Sequence, residues 1–378
     1  MGLTVGFDAT AAVHQRAGIG RYTRQLLQEY GRMGGQDRFR LFYANRGQHR
    51  GDLPALDDRF ARRPVPVSDR LLNALWHRAR IPLPVQVFTG QFDVFHSPDF
   101  SLPPIYRAPA IVTIHDLAFF RTPDCAVPSL AQYLQRVVPR SILNATHVIA
   151  VSENTRRDIL ELVDIPETKV TMILEGVDAP VIRPSASTSA AVLRGLGISE
   201  PYILAVGTLE PRKNYSRLIQ AYALLRHQGM DDHLVIAGTP GWLYEDVFRC
   251  VDRFHLNDSV HFVSPDDDEL ACLYHRATAF VYASLYEGFG LPPLEALAWG
   301  LPVACSSAAS LPEVVGDAAV QFDPYDVEGI ARCLETVVTD VTVRATLQQR
   351  GPLRASTLSW RRAAAETVAL YHRVAAND

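Results

Sequence analysis

Lysine is almost absent from this chain of 378 residues. Lys169 and Lys213 are the only two, so 35 of the 37 basic residues (37 less 2) are arginine. Such a bias reflects coding composition and carries no mechanism by itself, but it makes each lysine worth inspecting. Cysteine is scarce as well. The five thiols at 125, 250, 272, 305 and 333 form no CxxC pair and stand at no zinc-like spacing from histidine, which reads as buried reduced cysteine. Positive charge is not in excess: 37 basic against 41 acidic residues gives −4, which sets aside a general nucleic-acid binder. No segment approaches the roughly eighteen uncharged apolar residues of a membrane helix. The start MGLTVGFDA, broken by Gly6 and Asp8 and lacking a basic lead, reads as a buried strand rather than a signal peptide. The expected location is cytoplasmic. No repeat of about 20–50 residues recurs, so solenoids and propellers are excluded.

What is present is a soluble composition, 48% hydrophobic and 21% charged, long enough for two domains of about 150 residues. Short β-branched runs alternate with amphipathic stretches, the pattern of βα units in parallel sheets. Strands are expected near 3–9, 38–44, 92–96, 110–115, 146–151 and 170–175, with helices near 19–32, 129–144 and 153–163. After a Pro/Ser/Ala-rich stretch, read as a linker over 181–200, the rhythm restarts with strands near 201–208, 233–238, 260–263, 279–284, 302–305 and 318–322. Helices near 214–228, 243–254, 267–277, 292–299 and 326–338 lie between or after them. The expectation is α/β with two doubly wound, Rossmann-like domains, 1–180 and 201–355, facing across a cleft. A last helix within 356–378 is expected to cross back to the first domain.

Three motifs sit at strand-to-helix junctions. Gly18-Ile19-Gly20-Arg21-Tyr22 opens a helix whose free amides could face phosphate, or it is an ordinary helix-entry turn. It is no dinucleotide fingerprint, because Thr23 stands where GxGxxG needs glycine. Gly207-Thr208-Leu209-Glu210-Pro211-Arg212-Lys213-Asn214 places one of the two lysines beside an arginine at a helix start, the charge pattern a diphosphate requires. Glu287-Gly288-Phe289-Gly290-Leu291-Pro292-Pro293-Leu294-Glu295 sets two carboxylates around a glycine turn, able to accept hydrogen bonds from the diols of a sugar and a ribose.

These motifs together resemble the retaining glycosyltransferases of family 4, which have the GT-B fold, and the likeness runs from Gly18 to Trp360. It includes His115-Asp116, Val151-Ser152-Glu153 and Ser310-Leu311-Pro312-Glu313. HDLAFFRTP, GTLEPRKN and SLYEGFGLPPLEA look most like bacterial mannosyltransferases that build O-antigen or exopolysaccharide. The resemblance implies a nucleotide-sugar donor, GDP- or UDP-linked, as substrate, with no cofactor and no metal. It gives Arg212 and Lys213 to the diphosphate, Glu287 to the sugar hydroxyls and Glu295 to the ribose diol. Amides of Phe289, Gly290 and Leu291 would meet donor oxygens, and Gly207 lies in the diphosphate turn. Gly18 and Gly20 would let the first domain approach phosphate, with His115 and Asp116 beside the reacting sugar. Trp299 departs from the pattern, where relatives carry a smaller or sulfur-containing residue.

Two further segments have competing readings. Asp266-Asp267-Asp268 contains the letters of a metal-binding DxD, but its position after Ser264-Pro265 fits a helix cap. Arg59, Arg62, Arg63, Arg70, Arg78 and Arg80, with Leu71, Leu72, Leu75 and Trp76, read as a solvated helix or as a face for anionic lipid or a lipid-linked acceptor. The expected partners are therefore the nucleotide-sugar donor and a glycan, lipid-linked or small-molecule acceptor, with weak peripheral membrane contact through 59–80. The alternatives are a GT-B nucleotide-sugar epimerase or hydrolase, and a non-catalytic nucleotide-sugar-binding subunit.

Overall fold

The computed structural model describes residues 2–16, 18–47, 52–178 and 183–376. The chain divides into two compact units. The first contains Met1–Leu117, Ser129–Gly176 and Trp360–Asp378; the second contains Ala118–Pro128 and Val177–Ser359.

The first unit holds a 7-stranded sheet in the order β3-β2-β1-β4-β5-β6-β7. Its strands are β1 (Thr4–Asp8), β2 (Arg38–Arg46), β3 (Phe60–Ser68), β4 (Val94–Ser97), β5 (Ala110–Ile114), β6 (His147–Ala150) and β7 (Val170–Met172). Every neighbouring pair is parallel. The interior strand Ala-Ile-Val-Thr-Ile of β5 is buried throughout, as expected of a strand covered by helices on both faces. The strand order reverses between β1 and β4, the place where open α/β sheets leave a crevice beyond their carboxyl ends. The helix Trp360–Ala376 packs within this unit. Its Tyr371 hydroxyl lies 2.6 Å from Nδ1 of His96 and 3.0 Å from the Tyr30 hydroxyl, all buried.

The second unit repeats the plan with a 6-stranded sheet, order β10-β9-β8-β11-β12-β13, again parallel throughout. Its strands are β8 (Tyr202–Val206), β9 (His233–Ala237), β10 (Val260–Val263), β11 (Ala279–Tyr282), β12 (Val303–Ser306) and β13 (Val320–Phe322). Here the reversal falls between β8 and β11, so the loops after those two strands share one crevice. Two parallel-sheet Rossmann-like units make this the GT-B fold.

Three segments differ from the expectations. Within the stretch read as a linker, 181–182 lie outside the described residues, but Ala186–Gly195 is a helix of the second unit. Ser185 caps it by accepting from the amide of Thr188 at 3.1 Å, so the serine signalled a helix start rather than a tether. Phe60–Ser68, inside the basic stretch, is the edge strand β3; Phe60 and Val65 are buried while its two arginines face outward. Only 69–73 and 74–78 of that stretch are helical. Val341–Ser356 forms a helix where none was expected, started by Asp340, which accepts from the amides of Thr342 and Val343. Pro352 inside it hid the pattern.

Candidate active site

In the second unit, β8 is followed by Gly207, whose φ of 151° suits glycine and whose carbonyl accepts from the Tyr215 hydroxyl at 3.0 Å. Arg212 and Lys213 follow in a single 3-10 turn, Pro211–Lys213, ahead of the helix Tyr215–His227 rather than in its first turn. Asn214 separates turn from helix in the left-handed conformation at φ 60°. Its side-chain amide donates to the carbonyls of Ala283 and Pro324, at 3.0 and 2.8 Å. The Leu285 amide donates to the Arg212 carbonyl at 2.8 Å. The turn is thereby pinned to the loop that leaves β11, and Glu287 arrives opposite its two cations.

Glu287 is buried. Its Oε2 accepts from Arg212 at 2.7 Å, and its Oε1 accepts from Lys213 Nζ at 2.6 Å and from the Tyr282 hydroxyl at 2.9 Å. Lys213 also donates to Tyr282, and Arg212 donates to buried Glu210 at 2.6 Å and to the Tyr286 carbonyl at 2.8 Å. Burial alone would raise the Glu287 pKa, but the two cations outweigh it and hold the carboxyl down at about 2. The sequence suggested two cations awaiting a diphosphate. The structure gives a neutral quartet, with Glu210 and Glu287 balancing Arg212 and Lys213. Glu210 and Tyr282 were missed, although Glu210 stands inside the GTLEPRK motif.

The turn after Glu287 ends at Gly290, φ 109°, where a Cβ would lie 2.6 Å from Leu311 Cδ2. The hydroxyl of buried Ser310 sits 2.8 Å from the carbonyls of both Glu287 and Phe289 and fixes the turn. The helix Leu291–Trp299 then carries Glu295, buried, with its Oε2 accepting from the Tyr274 hydroxyl at 2.9 Å. The acidic run lies elsewhere in the unit. Asp266 accepts from the Glu269 amide at 2.9 Å while Glu269 accepts from that of Asp266, a capping box starting the helix Asp267–Arg276.

His115, Asp116, Gly18 and Gly20 belong to the first unit. His115 follows β5, and both ring nitrogens are engaged: Nδ1 with Glu175 at 2.9 Å and Nε2 with the Pro98 carbonyl at 2.8 Å. Burial lowers its pKa, but the Glu175 carboxylate and the Pro98 carbonyl outweigh burial and raise it above the ordinary value. Glu175, which sequence reading missed, is thus the partner of His115. Asp116 is half-buried beside it. Gly18, φ 56°, precedes the helix Ile19–Met33 with open space where a Cβ would lie. Gly20 is explained differently: a Cβ there would lie 2.1 Å from the Gln15 carbonyl and 2.8 Å from that of Ala11, so it serves close packing. Beyond β1, a cavity of about 70 Å³ is lined by Asp8, Asp69, Asp99, Asn73 and Trp76 among others. Burial raises Asp8 to about 7 and Asp99 to about 6.

Paired cations and buried carboxylates thus meet at the sheet reversal of a GT-B unit. The family model for Glycosyltransferase Family 4 matches residues 16–180, and that for Glycosyl transferases group 1 matches 195–354. The chain belongs to glycosyltransferase family 4. It is 34% identical over 282 residues to the O-antigen chain mannosyltransferase B of Escherichia coli, covering 74% of each chain. It is 32% identical over 223 residues to the serotype-specific mannosyltransferase WbdA of Escherichia coli, covering 57% of this chain but only 27% of that protein. Among solved structures, the sucrose-phosphate synthase of Thermosynechococcus elongatus superposes with a TM-score of 0.76 at 20% identity, covering 99% of this chain and 100% of the other.

Proposed function

We propose that this glycosyltransferase is a retaining, metal-independent mannosyltransferase of polysaccharide synthesis. It takes a hexose, mannose foremost, from a GDP- or UDP-sugar to a hydroxyl of a glycan or lipid-linked acceptor. The observation that carries this is the cluster of buried Glu287 with half-buried Arg212 and Lys213 at the reversal of the second sheet, together with the likeness to an O-antigen mannosyltransferase. Arg212 and Lys213 take the donor diphosphate. Two of the three Lys213 donors go to Tyr282 and Glu287, and the third is assigned to phosphate oxygen. Glu287 takes the sugar hydroxyls, Glu295 the ribose diol, and Phe289 to Leu291 the remaining donor oxygens.

In the reaction the bond from the anomeric carbon to the phosphate oxygen breaks, and the bond to the acceptor oxygen forms on the same face. The acceptor proton passes to the departing phosphate oxygen, so no protein base is required. Charge growing on the diphosphate meets cations already in place, and Glu287 opposes positive charge on the sugar. His115, bonded to Glu175, is assigned to the reacting sugar by likeness to the family. The acceptor is assigned to the first unit, where 69–77 sends Asp69, Asn73 and Trp76 into the cavity. Exposed Leu71 and the arginines of 59–80 give that unit a weak contact for anionic membrane at the cytoplasmic side. Among the described residues no helix is long and apolar enough to cross a membrane.

The test is transfer from GDP-mannose and UDP-sugars to a mannose-terminated lipid-linked oligosaccharide, with product anomeric configuration read by NMR. Retained configuration with no ester on Glu287 is expected. Inverted product, a trapped glycosyl-Glu287 ester, or donor consumption independent of acceptor would each overturn a stated part of the reading.

A further inference from the structure

Glu295 comes with its own support. Its partner Tyr274 lies on the helix Asp267–Arg276, and both side chains are buried. A buried carboxylate and a buried phenol are each costly unless bonded, and the 2.9 Å contact between Tyr274 Oη and Glu295 Oε2 meets both needs. The phenol ring is held in turn. Trp299, one turn beyond Glu295 on the same helix, stacks on it with planes 9° apart and centroids 6.4 Å apart. Phe280 of β11 packs against it at 5.9 Å. The Arg183 guanidinium lies 5.9 Å over the Trp299 ring. The departure at Trp299 is therefore part of the support for a carboxylate.

We infer that Tyr274 is a positioning residue for nucleotide recognition: it fixes the Glu295 carboxylate, braced by Trp299, so that the enzyme distinguishes a ribose from a 2′-deoxyribose in its donor. This rests on the reading of Glu295 as the ribose ligand. Holding an acceptor in one rotamer before the ligand arrives strengthens the hydrogen bonds it makes to a diol. It also sharpens rejection of an analogue that lacks one hydroxyl.

The experiment measures binding of GDP, UDP and their 2′-deoxy counterparts by calorimetry in the wild type, Tyr274→Phe and Glu295→Gln, beside steady-state kinetics. Tyr274→Phe should weaken ribonucleotide binding roughly tenfold and compress the ribo-to-deoxy ratio toward that of Glu295→Gln. Donor KM should rise with kcat nearly unchanged. An undiminished ratio in Tyr274→Phe, when Glu295→Gln has lost it, would overturn the role of Tyr274 alone. A full ratio retained in Glu295→Gln would instead remove the ribose reading beneath it. Should Tyr274→Phe fold poorly, Trp299→Met, which keeps the phenol but removes its stacked neighbour, must compress the ratio part of the way, and an unchanged ratio there counts against the inference.

Discussion

At the scale of single residues, the site is a balance of charge. Glu287 lies where Arg212 and Lys213 can share it, and its carboxyl is held from an ordinary 4.5 down to about 2, which corresponds to about 3 kcal/mol. A depressed carboxylate contributes stability that is fully present above pH 4.5 and lost as pH falls toward 2. Glu287→Gln should therefore unfold at lower temperature near neutral pH and show a flatter acid limb, read by thermal melts from pH 2 to 7. Its kcat should fall by roughly 10²–10³. GDP should bind at least as well as before, since the competing anion is gone; calorimetry showing markedly weaker GDP binding would contradict the quartet. Lys213→Ala should raise donor KM and lower kcat together if Lys213 holds the diphosphate as proposed, where charge grows in the transition state. The sign is opposite for His115. Its pKa is raised from 6.5, so the imidazolium–Glu175 contribution is complete below 6.5 and disappears as pH climbs through the raised value. Glu175→Gln should remove that alkaline loss. The charged residues themselves were legible because a lysine beside an arginine is conspicuous in this chain. Their partners were not, since Glu175 is 60 positions from His115 and no spacing announces the pair.

At the scale of elements, what could be read was decided by burial. Strands such as β5 and β11, buried along their length and mostly apolar, announce themselves, and so do helices with a cap and a clear stripe. Failures came where one local signal has two meanings. Serine and alanine over 185–195 read as a tether, but serine is also a good cap and alanine the best helix former. The Arg-Arg-Pro-Val-Pro-Val stretch read as a basic helix face, although alternation with two prolines suits an edge strand, where missing amides and exposed charge are tolerated. The triple aspartate read as a helix cap from Ser264-Pro265 ahead of it, and Asp266 does cap the helix, in a capping box with Glu269. Asp266→Ala should cost about 1 kcal/mol. It should leave turnover unchanged with or without EDTA, in a transferase assay run across Mn and Mg concentrations. Activity abolished by chelation and restored by Mn would assign a metal to the reaction.

At the scale of the molecule, each unit closes its own core around its own sheet, so each should unfold as its own cooperative transition. The first unit uses the chain's last helix to do so, a dependence across 275 positions between His96 and Tyr371 that no local pattern reveals. His96 there is neutral, burial pushing its pKa down to about 3, with Nε2 on the Thr113 hydroxyl at 2.8 Å and Nδ1 on Tyr371 at 2.6 Å. Tyr371→Phe removes one member of this buried network and leaves a histidine nitrogen and the Tyr30 hydroxyl to find other partners. The cost should be about 1–3 kcal/mol. It should fall on the first unit alone, because every partner belongs to it. GDP, assigned to the second unit, should raise the other transition, by about 2.7 kcal/mol at 100 times its Kd. Differential scanning calorimetry of the full chain, with and without GDP, should show two transitions. Tyr371→Phe should lower only the transition that GDP leaves in place. A Tyr371→Phe variant in which the GDP-sensitive transition falls instead would show that the last helix supports the nucleotide-binding unit and would overturn this division of the chain.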